Sequence, residues 1–258
     1  TEKPVTSGRN RASTWSPWAT VGSNHNSRAA DGEIFARRGF WPGLCVNLKH
    51  PSRFASFCLV AKGTYPAELN ISLPFTLVSN NVKEDTLQLY PGYWFKHNMY
   101  GLGRNSWKLK NRDARLYKWQ SYEYDYLAPD TVEEIFAGLE ILDNWRTQGD
   151  DRASGRPPDA ASRDSSHHGT LIDSEGVEAS SRGVVVLHIE EAQNAYREMI
   201  CYYGIRTLLY YMHGHGYSST EALRDDLGPV SRGSWVNVGG HFIREGDYQA
   251  LLTGVEDG

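Results

Sequence analysis

At 258 residues and 29.0 kDa, with 40% hydrophobic and 12% aromatic residues, the chain can bury the core of one large or two small domains, and its eight Trp and fifteen Tyr exclude wholesale disorder. No stretch approaches the roughly 20 apolar residues of a membrane helix, and Thr1-Glu-Lys-Pro4 lacks a signal-peptide core. The net charge of −4 conceals a split: residues 1–118 hold 17 of the 27 Lys+Arg but 7 of the 31 Asp+Glu, so this part is near +10 and the rest near −14, a field that invites an anionic partner.

Three cysteines, Cys45, Cys58 and Cys201, without CxxC spacing suggest neither a disulfide framework nor a thiolate zinc site, and a reducing cytoplasm is expected. The absence of an initiating Met and the stop shortly after Leu251-Leu252 read as a piece of something longer.

From Val21 to about Leu77, short apolar pieces alternate with Gly, Pro, Asn and Ser, which predicts short strands and turns. Ile34, Phe40, Val46 and Cys58 fall on a register of six, broken by Ser52 and continued by the polar Thr64. A period of six is that of a left-handed parallel β-helix, whose coils are three short strands around a triangular prism; an irregular antiparallel sheet is the alternative. After Pro91, Trp94, Phe95, Met99 and Leu102 are spaced as one helical face, with Gly101 and Gly103 weakening it. A clearer helix is predicted from Thr131 to about Gln148, with Asp130 as cap, Thr131 and Glu134 at capping-box spacing, and Val132, Ile135, Phe136, Leu139 and Leu142 as its apolar stripe.

Residues 149–182 carry almost no large apolar side chain and are expected to be a mobile insert, with His167-His168 as solvated loop residues. Gly183–Ile189 is a β-branched strand candidate, followed by a long helix from Glu190 to about Met212 that Gly214 and Gly216 end, a short helix opened by Ser218 and Glu221, and a last one from Arg244 to Leu252. The predicted fold class is α+β, a partial left-handed parallel β-helix of short coils followed by an α-helical region. Its segments are coils over 1–80, helices packed on them over 81–148, the insert over 149–182, and a strand plus helices over 183–258.

Arg28, Arg37, Arg38, Lys49, Arg53 and Lys62 are the candidate anion-binding set, with Asn24, Asn26, Ser23 and Ser27 as neutral donors; the competing reading is a solvated cationic face. His25 and His50, the histidines before residue 90, are candidate general bases or residues that brace a turn. No metal-ligand spacing is present, although Asp31 and Glu33 could hold Mg²⁺ if the chemistry involves a nucleotide, or could pair with Arg28 or Arg37. Trp41, Trp94, Trp107 and Trp119 raise base or sugar stacking, but without a nucleic-acid module burial in the core is preferred and nucleic acid is disfavoured as a partner.

Several strings resemble a family of uncharacterised proteins from Bacteroidetes and spirochaetes that share a domain of unknown function and are often labelled UDP-N-acetylglucosamine pyrophosphorylases. They are Asn24-His-Asn-Ser-Arg-Ala-Ala-Asp-Gly-Glu33, Ala67–Ile71 with Pro74–Asn80, Tyr93–Tyr100, Arg104–Lys108, Tyr124–Thr131 and Trp235–Gly240. The resemblance covers nearly the whole chain except 149–182. It implies a β-helix followed by helices, a longer protein with further coils ahead of these, and a sugar nucleotide or sugar phosphate as ligand. The glycine-rich nucleotide loop of a nucleotidyltransferase is missing, since Gly101-Leu-Gly-Arg104 does not follow a strand. Three functions stay open: binding of an anionic sugar phosphate or sugar nucleotide by Asn24, Asn26, Arg28, Arg37, Arg38, Lys49 and Arg53; a non-catalytic module that forms oligomers; and acyl transfer from coenzyme A with His25 or His50 as base.

Overall fold

The structure is a computed structural model that describes residues 20–21, 34–119, 122–154, 169–227, 232–238 and 241–256. It is a mixed α/β protein. Ten short strands come first: β1 (Thr20–Val21), β2 (Ile34–Ala36), β3 (Trp41–Pro42), β4 (Val46–Leu48), β5 (Ser52–Phe54), β6 (Leu59–Val60), β7 (Gly63–Tyr65), β8 (Asn70–Ile71), β9 (Leu77–Asn81) and β10 (Thr86–Tyr90). Helices α1 (Tyr93–His97), α2 (Met99–Asn111) and α3 (Pro129–Ser154) follow, then β11 (Gly169–Ile172), β12 (Gly183–Leu187), α4 (Ile189–His215), α5 (Thr220–Leu227), β13 (Trp235–Val238), β14 (His241–Arg244) and α6 (Glu245–Glu256).

The first strands build three parallel stacks, visited in turn: β2-β5-β8, β3-β6-β9 and β1-β4-β7. Ile34 pairs with Ser52, Trp41 with Leu59 and Leu59 with Leu77, each 18 residues on, whereas Val46 pairs with Gly63 and Arg53 with Asn70, 17 residues on. Strands of two or three residues alternate inward and outward, so Val46 and Leu48 point in while Asn47 points out, and Ser52 and Phe54 repeat the pattern. The expected register of six holds through the buried Phe40, Val46, Ser52 and Cys58. Ser52 does not break it, because its hydroxyl donates to Lys49 O at 2.6 Å and accepts the Leu69 N–H at 2.9 Å. The register slips by one at Thr64, which is exposed, and Tyr65 fills the interior instead.

One corner repeats a left-handed backbone at 18-residue spacing: Gly39 (φ 72°), Phe57 (φ 56°) and Phe75 (φ 56°). A Cβ on Gly39 would lie 2.3 Å from the Phe57 ring, so only glycine fits under it. Phe57 stacks on Phe75 at 4.9 Å, Phe75 meets Phe95 of α1 at 4.4 Å, and the Trp94 indole donates to Phe57 O at 2.8 Å. Helix α1 thus lands on the end of an aromatic ladder. The predicted helix after Pro91 is in fact two, parted at Asn98 (φ −146°): Trp94 and Leu102 are buried, but Met99 faces solvent.

The β9–β10 hairpin extends the second stack into a six-stranded sheet, in the order β11-β12-β10-β9-β6-β3, with β12 parallel to β10. This one sheet draws strands from all four segments expected from sequence. Within the insert expected over 149–182, α3 continues to Ser154 and residues 169–182 are structured. Strand β11 pairs with β12, Ile172 and Val177 are buried, and the Ala179 and Asn70 amides bond to Glu68 O and Val177 O. These bonds cover the β8 edge, which otherwise would offer unpaired backbone groups. Arg182 fastens the segment by holding both Glu178 carboxylate oxygens and Asn80 Oδ1. His167-His168 lie outside the described residues.

Helices α3 and α4 pack on each other and on the coils. Gly138 is the point of closest approach, where a Cβ would come within 3.1 Å of the Tyr196 ring; the Tyr196 hydroxyl donates to Pro74 O at 2.5 Å. Of the four tryptophans expected inside, Trp94 is buried and Trp41 partly so, whereas Trp107 and Trp119 are exposed. Gly101 and Gly103 lie within α2 and form no phosphate loop.

Candidate functional site

The described cations of the predicted anion wall are held in different ways. Arg37 and Arg38 lie at the turn between β2 and β3, under the start of α3. Arg38 is buried, and its Nε and Nη2 reach the two Asp130 oxygens at 2.7 and 2.9 Å. Its remaining hydrogens go to Asp125 O, Tyr126 O and Thr131 Oγ1. Arg37 pairs with Glu134 at 3.1 Å, and Lys49 pairs with Glu68 at 3.0 Å. Arg53 is exposed on β5 and lies over the Phe35 ring at 4.8 Å; it borders a cleft of about 280 Å³ with Glu68, Asn70 and Glu178. Arg38 is therefore withdrawn from any ligand, and Arg37 and Lys49 are neutralised by carboxylates of this chain. Lys62 is exposed, and His50 sits half-buried in the turn between β4 and β5, ahead of Pro51. Asn24, His25, Asn26, Arg28, Asp31 and Glu33 lie outside the described residues.

The carboxylates that hold these arginines were expected to cap α3. Helix α3 begins at Pro129 instead, and both oxygens of Glu134 turn toward the coils, accepting Ser56 N–H at 2.7 Å and the Ser56 hydroxyl at 2.8 Å. Desolvation holds the Glu134 carboxyl above its ordinary range, with Arg37 and Ser56 opposing that shift. A carboxyl raised in the folded state binds more protons there than when unfolded, so stability falls as pH rises above about 4.5 through the folded value. Denaturant titrations between pH 4 and 7 should show this slope, and Glu134→Gln should flatten it.

Among the described residues no group of three or more His, Cys, Asp and Glu could hold a metal ion, and no helix is long and apolar enough to cross a membrane. Burial raises the Cys58 thiol far above its ordinary range and leaves it unreactive.

The feature that residue patterning missed is on α4. Its first half buries Ile189, Ala192, Ala195, Tyr196 and Met199, and Gln193 bonds to Asp143 at 2.6 Å. Its second half keeps the same apolar character but turns it to solvent: Tyr202, Ile205, Leu208, Leu209, Tyr210 and Tyr211 are all exposed, Tyr210 by 76%. Arg206 ties this half to Asp125 at 2.6 Å and to Leu127 O at 2.9 Å, and Gly216 (φ 74°) ends the helix. A helix that is apolar on every side is ordinarily covered on every side, and this was the available signal in Cys201-Tyr-Tyr-Gly-Ile-Arg-Thr-Leu-Leu-Tyr-Tyr-Met212.

No protein-family model matches the chain, and no solved structure matches it. It is 38% identical over 246 residues to an uncharacterized protein of Treponema pallidum (strain Nichols), an alignment that takes in 93% of this chain and 34% of the relative, so the chain spans about a third of that protein's length.

Proposed function

We propose that the chain is an assembly module, a stacked-strand body that carries an apolar helical surface for a protein partner. The observation that supports this is the change along α4 from buried to exposed without a change in apolar character. Large apolar side chains exposed together on a folded chain are a usual feature of interaction surfaces. Covalent tyrosine labelling tests the reading: Tyr202 and Tyr210 should react at least fivefold less in cells than in the purified protein at high dilution. Equal labelling in both settings would overturn it.

The body itself we read as a left-handed parallel β-helix. The three stacks visited in turn and the 17–18-residue return support this. Cys45, Cys58 and Cys201 are free thiols, which favours a reducing, cytoplasmic setting.

Binding of a sugar phosphate or sugar nucleotide is the second reading, and Arg53 beside its cleft is the observation that favours it. Among the described residues no carboxylate is paired with Arg53. Calorimetric titration with UDP-N-acetylglucosamine should then give heat that Arg53→Ala abolishes, and silence at millimolar ligand removes the reading.

A further inference from the structure

We infer that the outward face of α2, with the segment that follows it, rests on a membrane surface rich in anionic lipid. None of these residues belongs to α4, so the inference stands apart from the docking reading above.

The α2 face is continuous. Leu102 is the buried residue of this helix, while Tyr100, Gly103, Arg104, Trp107, Lys110 and Asn111 are exposed. They follow one another at steps of three and four, which keeps them within an arc of about 120° turned away from Leu102. Past the helix end at Arg112, Arg115 is fastened to Asp113 and Tyr124. Beyond that anchor Leu116 and Trp119 are exposed by 87% and 89%, with Tyr117 exposed between them.

Charge gives the first half of the partner's description. From Tyr100 to Trp119 the one acid is Asp113, and Arg115 holds it. Among the described residues no carboxylate pairs with Arg104, Lys108, Lys110, Arg112 or Lys118, in contrast to Arg37, Arg38 and Lys49. Here the basic part of the chain keeps its field open, and the partner that meets it is anionic.

Exposed apolar groups give the second half. Trp107 and Trp119 would stack on bases as readily as they would lie among lipid headgroups, but Leu116 has no π face and gains from an apolar medium instead. Shape agrees, because single strands are held in grooves and small anions in concave sites, whereas the outer side of a helix is convex. The two clefts beside β8, of about 280 and 210 Å³, are lined neither by α2 nor by residues 112–119. An anionic bilayer offers negative charge and hydrocarbon together over an extended surface, with Trp and Tyr seated at headgroup depth and each Lys or Arg strengthening binding roughly fivefold. Helix α2 lies on such a surface and does not cross it, since no helix among the described residues is long and apolar enough.

Cosedimentation of the full chain with vesicles is the test, phosphatidylglycerol and phosphatidylcholine in equal parts against phosphatidylcholine alone. The expected result is more than tenfold tighter binding to the anionic vesicles, loosened about 20-fold by Arg104→Gln/Lys110→Gln and about fivefold or more by Trp107→Ser/Trp119→Ser. All four side chains are exposed, so both variants should keep the wild-type circular dichroism spectrum. No binding to the anionic vesicles at about 1 mM lipid overturns the inference, and binding of a thymidine oligonucleotide in its place assigns the face to single-stranded nucleic acid. Binding that ignores lipid charge and both variants places the contact on another surface, such as the exposed half of α4, and overturns it as well. So does binding that the tryptophan variant leaves intact, because bare charge attraction would then account for it.

Discussion

Arg38→Ala is expected to cost the folded chain about 3–5 kcal/mol, the usual penalty for removing one partner of a buried ion pair. Asp130, 5% exposed in the first turn of α3, would be left charged without its fork of donors, and the Asp125 carbonyl would lose the Arg38 donor. Arg38→Lys should recover little, since an ammonium cannot span both Asp130 oxygens and the carbonyls at once. The double variant Arg38→Met/Asp130→Leu should recover most of the loss, because two apolar side chains of similar volume leave no charge stranded. Urea denaturation of the three variants measures this. A loss below about 1 kcal/mol in Arg38→Ala would mean that the pair is solvated and that α3 is held by its apolar stripe alone.

That clamp explains what composition could and could not convey. The uneven charge distribution is in part resolved inside the molecule: Arg37 and Arg38 from the basic part meet Glu134 and Asp130 from the acidic part, some 92–97 residues away in sequence. Complementary fields between two halves of one chain look the same in a sequence as a field prepared for an external anion, and only pairing in space tells them apart.

The six-residue register was legible because a two- or three-residue strand exposes its period directly, and Phe40, Val46 and Cys58 keep it. Ser52 was misread as an interruption because its burial is made tolerable by a backbone partner 17 residues away. The helix from Thr131 was legible from its apolar stripe, but Glu134 answered to Ser56 instead of to the helix start. The segment around Ile172 and Val177 was not legible, because its backbone is ordered against the coil edge at Leu69 and Asn70, about 100 residues away in sequence.

Phe75→Ala is expected to cost about 3–5 kcal/mol as a large-to-small change at a fully buried site. The ring joins Phe57 of the coil below it to Phe95 of α1, so its loss opens a cavity between the coils and the first helix. The backbone adds a sharper expectation. At φ 56° a Cβ is strained by about 1–2 kcal/mol, an expense that phenylalanine offsets by stacking and that alanine does not. Glycine escapes the strain, at a cost of about 0.5–1 kcal/mol in extra freedom of the unfolded chain. Phe75→Gly should therefore be no less stable than Phe75→Ala, the reverse of their order in a regular strand or helix. Thermal and urea unfolding of the pair decide it: a glycine variant clearly weaker than the alanine variant would show that this corner relaxes out of the left-handed region once the ring is gone, and that the ladder from Gly39 through Phe57 is held by its rings and not by a preset turn.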